Sequence, residues 1–308
     1  MKEDKSMRLY NIYSQYLKNE YGTKVYKLPI NLPITCPNRD GTLGRQGCYF
    51  CSDKGAGFES LPSTQSVSTQ LRSNMDYIGK RYGAKKFIAY FQNYTNTYMS
   101  YDVFDAYIRS ACIEHIVEID IATRPDCIDR EYLKILKNIS NFYHVKIVIE
   151  LGLQTTNDDT LVKINRGHDV LSYINATNLI HDYGFKVCTH LIMNLPWDED
   201  DEVIKMALLM NQLNVEMVKL HALYIAKGTV FENMYNQGLL KMDTMDNYIN
   251  RVVNFLTYLD PNCAVQRLVS RAPKEDTVFC NWNTSWWIIK ESIEKKMLKE
   301  GLYQGKMI

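Results

Sequence analysis

Three of the eight cysteines lie in one polar, glycine-containing loop, whereas the other five are scattered singly along the chain. The three follow the spacing Cys36-x11-Cys48-x2-Cys51. Thiolates are ligands that zinc and iron–sulfur centres prefer. A structural zinc site would need a fourth protein ligand, and only a remote residue such as His168 or His190 could supply it. Three thiolates suit a [4Fe–4S] cluster with one iron left open, so we favour the cluster over zinc.

Further polar residues lie where apolar segments are expected to end. We predict strands over six apolar or β-branched segments, near 26–34, 86–92, 117–123, 145–154, 185–193 and 215–223. Amphipathic patterns predict helices between them, near 64–82, 101–114, 129–139, 170–183 and 199–212. Strands that alternate with helices indicate parallel βα units. Because no seventh or eighth unit is obvious, we predict an α/β fold with a partial (β/α)6 barrel of the TIM type.

The predicted barrel occupies the middle of the chain. We predict three segments, an N-terminal extension over 1–24, the barrel over 25–242 and a small C-terminal helical cap over 243–308. The cap is expected to contain a helix over 244–259, a short strand near 263–268 and a final helix over 284–299. No low-complexity linker separates these segments, so the cap should pack directly on the barrel.

In barrels of parallel strands, the chemistry collects at the carboxyl ends of the strands. The polar residues predicted near these ends are Gln92, Asn93, Thr123, Gln154, His190, Lys219 and His221. Because side chains alternate along a strand, Glu150 shares a face with Gln154, and Cys188 shares one with His190. So many polar groups would be costly in a purely structural interior, and we therefore expect a polar ligand inside the barrel.

The hydropathy of the chain predicts where the protein is located, whereas its charge does not predict what it binds. A formal net charge of +1 is no signature of nucleic-acid binding. Basic residues still form two local clusters, Lys80, Arg81, Lys85 and Lys86 in one, and Arg267, Arg271 and Lys274 in the other. Such clusters could be solvated surfaces or could bind phosphate. Because there is no apolar run of transmembrane length and no signal-peptide core, we expect a cytoplasmic location without membrane association.

Seven segments carry a resemblance to a known family, in the order TCPNRDGTLGRQGCYFC, YFQNYTNTY, ATRPDCI, ELGLQT, VCTHLIMNLP, KLHALYIAKGT and VQRLVSRAPKE. Together they make the chain resemble the radical S-adenosylmethionine (SAM) superfamily. The closer resemblance is to its YhcC/YtqA-type members, which are relatives of the radical SAM domain in the catalytic subunit of Elongator. The resemblance runs over nearly the whole chain, and the common order of the motifs makes coincidence improbable.

This resemblance implies a radical SAM barrel in which Cys36, Cys48 and Cys51 hold a [4Fe–4S] cluster. SAM would bind the open iron through its amino and carboxylate groups. An electron from the cluster, supplied by an external flavodoxin- or ferredoxin-like donor, would cleave SAM to methionine and a 5′-deoxyadenosyl radical. That radical would take a hydrogen atom from the substrate, while the protein orients cofactor and substrate.

The resemblance also implies roles for single residues on the cofactor side. Gln92 and Asn93 occupy the place of a Gly-Gly-Glu motif beside the methionine amino group, although they depart from that motif. Gln154 corresponds to a glutamine that contacts the SAM ribose, and Arg166 to an arginine that pairs with the SAM carboxylate. The remaining cofactor-binding candidates are Thr123, Glu150 and His190, the last at a ribose-side position.

Structural alternatives stay open for these residues. Gln154 could cap a loop, Arg166 could pair with Asp158 or Asp159, and His190 could be a core histidine. The catalytic candidates on the substrate side are Cys188, Lys219 and His221. Of these, Cys188 could donate a hydrogen atom or could be a buried, inert thiol.

The substrate implied by the resemblance is the C5 side chain of the wobble uridine in tRNA. The segment after the barrel is expected to be too short for the acetyltransferase domain of Elongator. We therefore predict remodelling of an existing side chain, for example conversion of 5-carboxymethylaminomethyluridine to 5-aminomethyluridine. Three alternatives stay open: a radical SAM enzyme that acts on a protein or a small metabolite, a methylthiotransferase, and a zinc-stabilised nucleic-acid-binding protein without catalysis. The methylthiotransferase is the less favoured of the two enzymes, because the sequence has no second cysteine triad.

Overall fold

Parallel strands joined by helical connections form the centre of the computed structural model, which describes residues 8–52 and 60–308. In chain order the strands are β1 (Val25–Ile30), β2 (Lys86–Phe91), β3 (Ile116–Thr123), β4 (Lys146–Gln154), β5 (Lys186–Ile192), β6 (Met217–His221), β7 (Ile225–Ala226), β8 (Ala264–Arg267) and β9 (Thr277–Phe279). The first six pair in sequence and in parallel, as predicted. Both faces of these strands are largely buried, which explains their apolar composition.

The helices pack on this sheet at the positions that the amphipathic patterns predict. In chain order they are α1 (Tyr13–Tyr21), α2 (Val67–Tyr82), α3 (Tyr101–Ala111), α4 (Arg130–Tyr143), α5 (Asp158–Lys163), α6 (Val170–Asp182), α7 (Glu202–Gln212), α8 (Val230–Asn236), α9 (Met245–Tyr258) and α10 (Trp286–Glu300). Local capping supports them, as where Asp129 accepts hydrogen bonds from two backbone N–H groups at the start of α4. The shorter helices α1, α5 and α8 were not predicted, because so few turns show no clear hydrophobic period.

The sheet contains one strand more than the six predicted. Strand β8 pairs in parallel with β6, and the strand order is β1-β2-β3-β4-β5-β6-β8. The partial barrel of parallel strands is confirmed, and the segment expected as a short strand of the cap is its seventh strand. With four residues, β8 is too short to show the pattern of a separate βα unit.

Helix α1 packs against both edge strands of the open barrel, β1 and β8. Just before it, Ile12 forms a parallel bridge with Val265, and the N–H of Val265 donates to the carbonyl of Asn11 at 2.8 Å. The buried side chain of Gln304 fixes the same region from the other end of the chain, because its amide donates to the carbonyl of Cys263 at 2.8 Å and its oxygen accepts from the N–H of Asn11 at 2.8 Å. The segments around Asn11 and Gln304 therefore pack beside the open edge of the barrel.

The chain beyond β6 also reaches toward the carboxyl ends of the strands. Strands β7 and β9 form an antiparallel pair, and residues 271–273, just before β9, line a large cavity described below. The division at residue 242 into barrel and cap stays a prediction, and the main sheet continues beyond it through β8. In the described parts of the chain, every helix is too short or too polar to cross a bilayer.

Candidate active site

A cavity of about 1110 Å³ extends from the loops at the carboxyl ends of the strands into the barrel. Most of the residues predicted to form a site line it, although they come from distant parts of the sequence. They are Cys36, Cys48, Cys51, Gln92, Thr123, Glu150, Gln154, Arg166, His190, Lys219 and His221. One cavity therefore joins the cysteine loop to the polar interior of the barrel.

Two predicted residues do not line the cavity. Asn93 is buried beyond the end of β2, where its amide donates a hydrogen bond of 2.8 Å to the side chain of Asn31. Cys188 is fully buried in a small core cluster with Val148 and Met217, and burial raises the pKa of its thiol. Alternation along the strand predicts the face on which Cys188 lies, but it does not predict how deeply its side chain is buried. The predicted contacts of Asn93 and Cys188 with a ligand therefore stay predictions, which the lining of this cavity does not support.

The loop that carries the cysteines is closed by its own backbone. The N–H of Arg39 donates to the carbonyl of Cys36 at 2.8 Å, and the N–H of Cys51 donates to the carbonyl of Cys48 at 2.9 Å. All three thiols are free, and two of them are half-buried while Cys48 is buried. The loop therefore holds three thiol ligands of one type along one wall of the cavity.

Side-chain amides attach this loop to the segment after α5. The amide of Asn38 donates to the carbonyl of Asn165 at 2.6 Å, and the amide of Asn165 donates to the carbonyl of Gly47 at 2.8 Å. A Cβ atom at Gly44 would lie 2.6 Å from the side-chain oxygen of Asn38, so a larger residue there would displace the Asn38 amide. This pair of asparagines fixes the position of the cysteine loop on the barrel.

Arg166 connects the cysteine loop to strand β4. Its guanidinium donates to the carbonyl of Gly152 at 2.7 Å and approaches the Sγ of Cys48 at 3.5 Å, rather than pairing with the aspartates of α5. A Cβ atom at Gly152 would lie 2.8 Å from nitrogens of both Arg166 and Gln154. Gln154 itself has a φ of 81°, which is strained for a residue with a side chain. Such strain at the end of a barrel strand is typical of a functional site.

Inside the barrel, the carboxylate of Glu150 binds three basic side chains. Its Oε2 accepts hydrogen bonds from Nζ of Lys219 at 2.6 Å and from Nε2 of His190 at 2.7 Å, and its Oε1 accepts one from Lys27. Lys27 also forms an ion pair of 2.5 Å with Asp120. Strands β1, β3, β4, β5 and β6 therefore converge on one buried network whose opposite charges compensate their loss of hydration.

Burial and charge shift the pKa values within this network. The ammonium groups of Lys219 and Lys27 hold the pKa of Glu150 well below its usual range, in spite of burial. Burial, together with the nearby charges of Lys27 and Arg267, lowers the pKa of Lys219 to about 8. Burial and the charge of Lys219 lower the pKa of His190 to about 4, so its ring is neutral at pH 7. Groups tuned in this way inside a cavity are candidates for proton transfer.

Ligand-type atoms of Glu150, Cys188 and His190 lie within 4.8 Å of one another in this network. A cation there would be repelled by Lys27 and Lys219, which already occupy the two carboxylate oxygens. We therefore assign the three residues to the ion network and not to a metal site.

Sequence reasoning missed part of this network. Lys27 and Tyr90 line the cavity, and Nζ of Lys219 donates to the hydroxyl of Tyr90 at 3.1 Å. A signal was present in β3, where Glu118 and Asp120 occupy alternate positions of an otherwise apolar strand. Buried carboxylates need partners, so these two residues indicated basic groups from other strands.

The histidines considered as a fourth zinc ligand point elsewhere. The ring nitrogens of His168 each lie 3.2 Å from a backbone carbonyl oxygen, of Asp169 and of Gly152. His190 is bound to Glu150. Neither histidine is therefore placed as a fourth ligand beside the three cysteines. This arrangement disfavours the zinc alternative.

Comparison with known proteins identifies the family. The model described as the Radical SAM superfamily matches residues 38–210, which is more than half of the chain, and the Radical_SAM C-terminal domain matches residues 215–299. The chain belongs to the radical SAM superfamily. The uncharacterized protein YtqA of Bacillus subtilis is 32% identical over 298 residues, which are 96% of this chain and 92% of that relative. The resemblance deduced from the motifs is thereby confirmed.

Two further similarities of this radical SAM protein concern archaeal proteins. A tRNA uridine(34) acetyltransferase of Methanocaldococcus jannaschii is 32% identical over 129 residues, which are 41% of this chain and 23% of that protein. The solved structure of Methanocaldococcus infernus Elp3 with an N-terminal deletion superimposes with a TM-score of 0.70 at 19% identity. It covers 91% of this chain, which in turn spans only 64% of the archaeal chain. This structure confirms the fold.

Radical SAM enzymes use a [4Fe–4S] cluster and SAM, and the cavity of this family member fits both. Three free thiols provide the donor set of such a cluster. The Nε of Arg166 and one terminal nitrogen of Arg124 are buried without a hydrogen-bond partner. Because buried donors are normally satisfied, these two groups have capacity for an anionic ligand such as a carboxylate.

Only one of the two basic clusters lies at the cavity. Arg267 and Arg271 line it. Lys80 and Lys85 lie at the end of α2 and just before β2, at the amino ends of the strands and therefore opposite the cysteine loop. Tyr94 lines the cavity and offers an aromatic ring on which a base could stack, whereas Trp282, Trp286 and Trp287 do not line it.

Proposed function

We propose that this radical SAM enzyme modifies the C5 side chain of the wobble uridine in tRNA. The observation that carries the proposal is the single cavity that joins three thiols to a buried network of titratable groups. Its volume of about 1110 Å³ leaves room for SAM and a nucleoside together. The similarity to an archaeal protein named tRNA uridine(34) acetyltransferase supports a wobble uridine as the substrate.

In this proposal Cys36, Cys48 and Cys51 hold the cluster, while Arg166 and Gln154 bind SAM, together with Gln92 and Thr123. When bound, the cluster and SAM supply a 5′-deoxyadenosyl radical and act overall as a two-electron oxidant that ends as methionine and 5′-deoxyadenosine. Arg166 would serve two purposes, because it ties the cysteine loop to β4 and also offers its Nε to an anion.

On the substrate side, we propose that Lys219 exchanges protons with the substrate. Its pKa of about 8 lets it hold or release a proton near neutral pH, and its ion pair with Glu150 fixes its position. His190 and His221 stack with 5.3 Å between ring centroids, and burial lowers the pKa of both, so they remain neutral hydrogen-bonding groups. The depth of Cys188 favours an inert thiol over a hydrogen donor.

The specific reaction that we propose converts 5-carboxymethylaminomethyluridine to 5-aminomethyluridine. The carbon between the side-chain nitrogen and the carboxylate would lose a hydrogen atom and then an electron, which are the two electrons that bound SAM and the cluster accept overall, and it would form a C=N bond to the nitrogen. Water adds to this bond, the C–N bond breaks, and the two carbons leave as glyoxylate. The nitrogen keeps the electron pair of the broken bond and takes up a proton, which yields the aminomethyl product.

Anaerobic turnover tests this proposal. The protein is reconstituted with iron and sulfide and mixed with SAM, dithionite and tRNA that carries 5-carboxymethylaminomethyluridine. We expect equal amounts of 5′-deoxyadenosine, glyoxylate and the aminomethyl nucleoside, measured by mass spectrometry. Cys36→Ala should abolish all three products. Cys112→Ala changes a scattered cysteine at the end of α3 and should leave them unchanged.

Other outcomes would identify the alternatives. Formation of 5′-deoxyadenosine without any change in tRNA would reject the tRNA substrate and favour a radical SAM enzyme acting on a protein or a small metabolite. Stoichiometric zinc without 5′-deoxyadenosine would favour a zinc-stabilised binding protein. A cytoplasmic location and a flavodoxin- or ferredoxin-like donor stay predictions, and both agree with thiolate ligands and a tRNA substrate.

A further inference from the structure

The strand register aligns a row of residues across the interior of the barrel. Arg267 of β8 is paired with Lys219 of β6, Lys219 is paired with His190 of β5, and His190 is paired with Gly152 of β4. All four line the cavity. Arg166 bonds to the carbonyl of Gly152, so the row runs from one guanidinium near the cysteines to another on the last strand. Three strand spacings separate β4 from β8, roughly 14 Å along the sheet.

The charges along this row are not balanced at its far end. Lys219 is paired with Glu150 at 2.6 Å, and Lys27 is paired with Glu150 and Asp120. The side chain of Arg267, in contrast, forms no hydrogen bond or ion pair with another residue in the described parts of the chain, 8–52 and 60–308. An arginine beside a lysine in a partly buried cavity is costly unless an anion compensates it.

A second unsatisfied group lies beside Arg267. His221 follows Lys219 by two residues on β6 and therefore shares its face, and its Nε2 is buried without a hydrogen-bond partner. Burial and the charge of Arg267 keep this ring neutral, because they hold its pKa well below the usual range. A neutral imidazole can donate a hydrogen bond to an anion without adding another charge.

We propose that Arg267, Lys219 and His221 form a binding site for a carboxylate at the end of the substrate side chain. This inference rests on the proposed function, in which the side chain of the uridine ends in such a group. A guanidinium fits both oxygens of a carboxylate at once. A phosphodiester is flanked by nucleosides on both sides, so it could not reach the strand ladder as a terminal carboxylate can. The carboxylate of SAM would instead bind Arg166, which lies at the other end of the row.

Binding of two matched RNA hairpins tests the site. Both are anticodon hairpins, one with 5-carboxymethylaminomethyluridine and one with the corresponding carboxamide, titrated by fluorescence anisotropy into reconstituted protein with SAM and no reductant. Wild-type protein should prefer the acid by about 10- to 100-fold. Arg267→Gln should remove this preference, and Arg267→Lys should keep only part of it. Arg130→Gln, at an exposed position on α4, is the matched control and should keep it fully.

A small probe keeps the test independent of RNA. N-methylglycine contains the same amine and carboxylate as the side chain, and its contact with the protein is observed by saturation-transfer NMR. The transfer should be lost in Arg267→Gln and kept in Arg130→Gln. If the hairpins do not bind but the probe depends on Arg267, the carboxylate site stands and the tRNA proposal fails. If the modified hairpin is converted to product without any preference for the acid, the tRNA proposal stands and this site is rejected.

Two further results would overturn the inference. Equal weakening of the acid and amide hairpins in Arg267→Gln would show that the guanidinium contacts the RNA backbone. If Arg267→Gln raised the dissociation constant for SAM and left the preference for the acid hairpin unchanged, the guanidinium of Arg267 would bind the cofactor and not the substrate.

Discussion

Lys219 and His190 bind the same oxygen of Glu150, at 2.6 Å and 2.7 Å, although the three residues belong to three neighbouring strands. The other carboxylate oxygen binds Lys27 of β1. One buried carboxylate thus holds together strands from both halves of the sheet. Because it also anchors the lysine that faces the cavity, stability and function depend on the same group.

Removing the charge of Glu150 should destabilise the protein strongly. Glu150→Gln would leave Lys27 and Lys219 facing each other without their shared anion, and we expect the free energy of unfolding to fall by about 3–5 kcal/mol. Lys219→Met should cost less, because Glu150 keeps its bond to Lys27. Urea unfolding at pH 7 measures both changes.

The control for this prediction is Glu131→Gln on the surface. Glu131 pairs with Lys134 at 2.6 Å, with both side chains more than half exposed. Such pairs contribute less than about 1 kcal/mol, so its removal should change the stability little. Equal, small effects of Glu150→Gln and Glu131→Gln would contradict the proposed importance of the network.

Stability should fall as the pH drops from about 6.5 toward 4, partly because of His190. Burial and the charge of Lys219 lower its folded pKa to about 4, whereas an unfolded histidine titrates near 6.5. Between these values the unfolded chain binds more protons than the folded protein, so acid favours unfolding, by up to about 1.4 kcal/mol per pH unit. The neighbouring charges are Glu150, Lys219 and Arg267, and His221 shifts in the same direction.

Urea unfolding at several pH values between 4.5 and 7 tests this dependence. His190→Gln should reduce the slope of stability against pH, whereas His115→Gln, at an exposed position, should leave it unchanged. An identical slope in wild-type protein and His190→Gln would show that His190 is not held neutral by the fold.

Gly152→Ala should disturb the cofactor side of the cavity. The added Cβ would lie 2.8 Å from nitrogens of Arg166 and Gln154, so both side chains would have to move. We expect weaker SAM binding, by about tenfold, because a misplaced guanidinium loses a charged hydrogen bond. Equilibrium dialysis with the reconstituted protein measures this change, and iron content shows whether the cysteine loop still holds its cluster.

Gly79→Ala is the matched control in helix α2. Its added Cβ would meet only ordinary contacts, the nearest at 3.6 Å, and alanine in a helix is more stable than glycine by about 1 kcal/mol. This variant should bind SAM like the wild type. Unchanged SAM binding in Gly152→Ala would exclude Arg166 and Gln154 as SAM contacts.

The strands and long helices were predictable because hydrophobic period and length are local properties of the sequence. Strands β2 to β6 begin and end within a few residues of the predicted bounds. The four residues of β8 were predicted as a strand of the cap, and only their pairing with β6 makes them part of the barrel. The full burial of Cys188 and the buried position of Asn93 likewise depend on tertiary packing, which a local sequence pattern does not predict.

The ion network could be predicted only in part. Alternation along β4 and β5 placed Glu150 and His190 in the interior, but the partners of Glu150 come from positions 27 and 219. Which of them meet depends on the register between strands and on the curvature of the sheet. The sequence contains the charges, whereas the pairing arises from the curved arrangement of the strands.

Binding of tRNA should depend on the basic residues at the cavity and not on those at the other end of the barrel. Arg271 lines the cavity, whereas Lys85 is exposed just before β2, at the amino ends of the strands. Arg271→Glu should weaken binding of all tRNAs and lower the slope of log affinity against log salt by about 1. Lys85→Glu, which makes the same change in net charge, should leave both quantities unaltered. If the two variants weakened binding equally, tRNA would be attracted by the overall charge and not held at the mouth of the cavity.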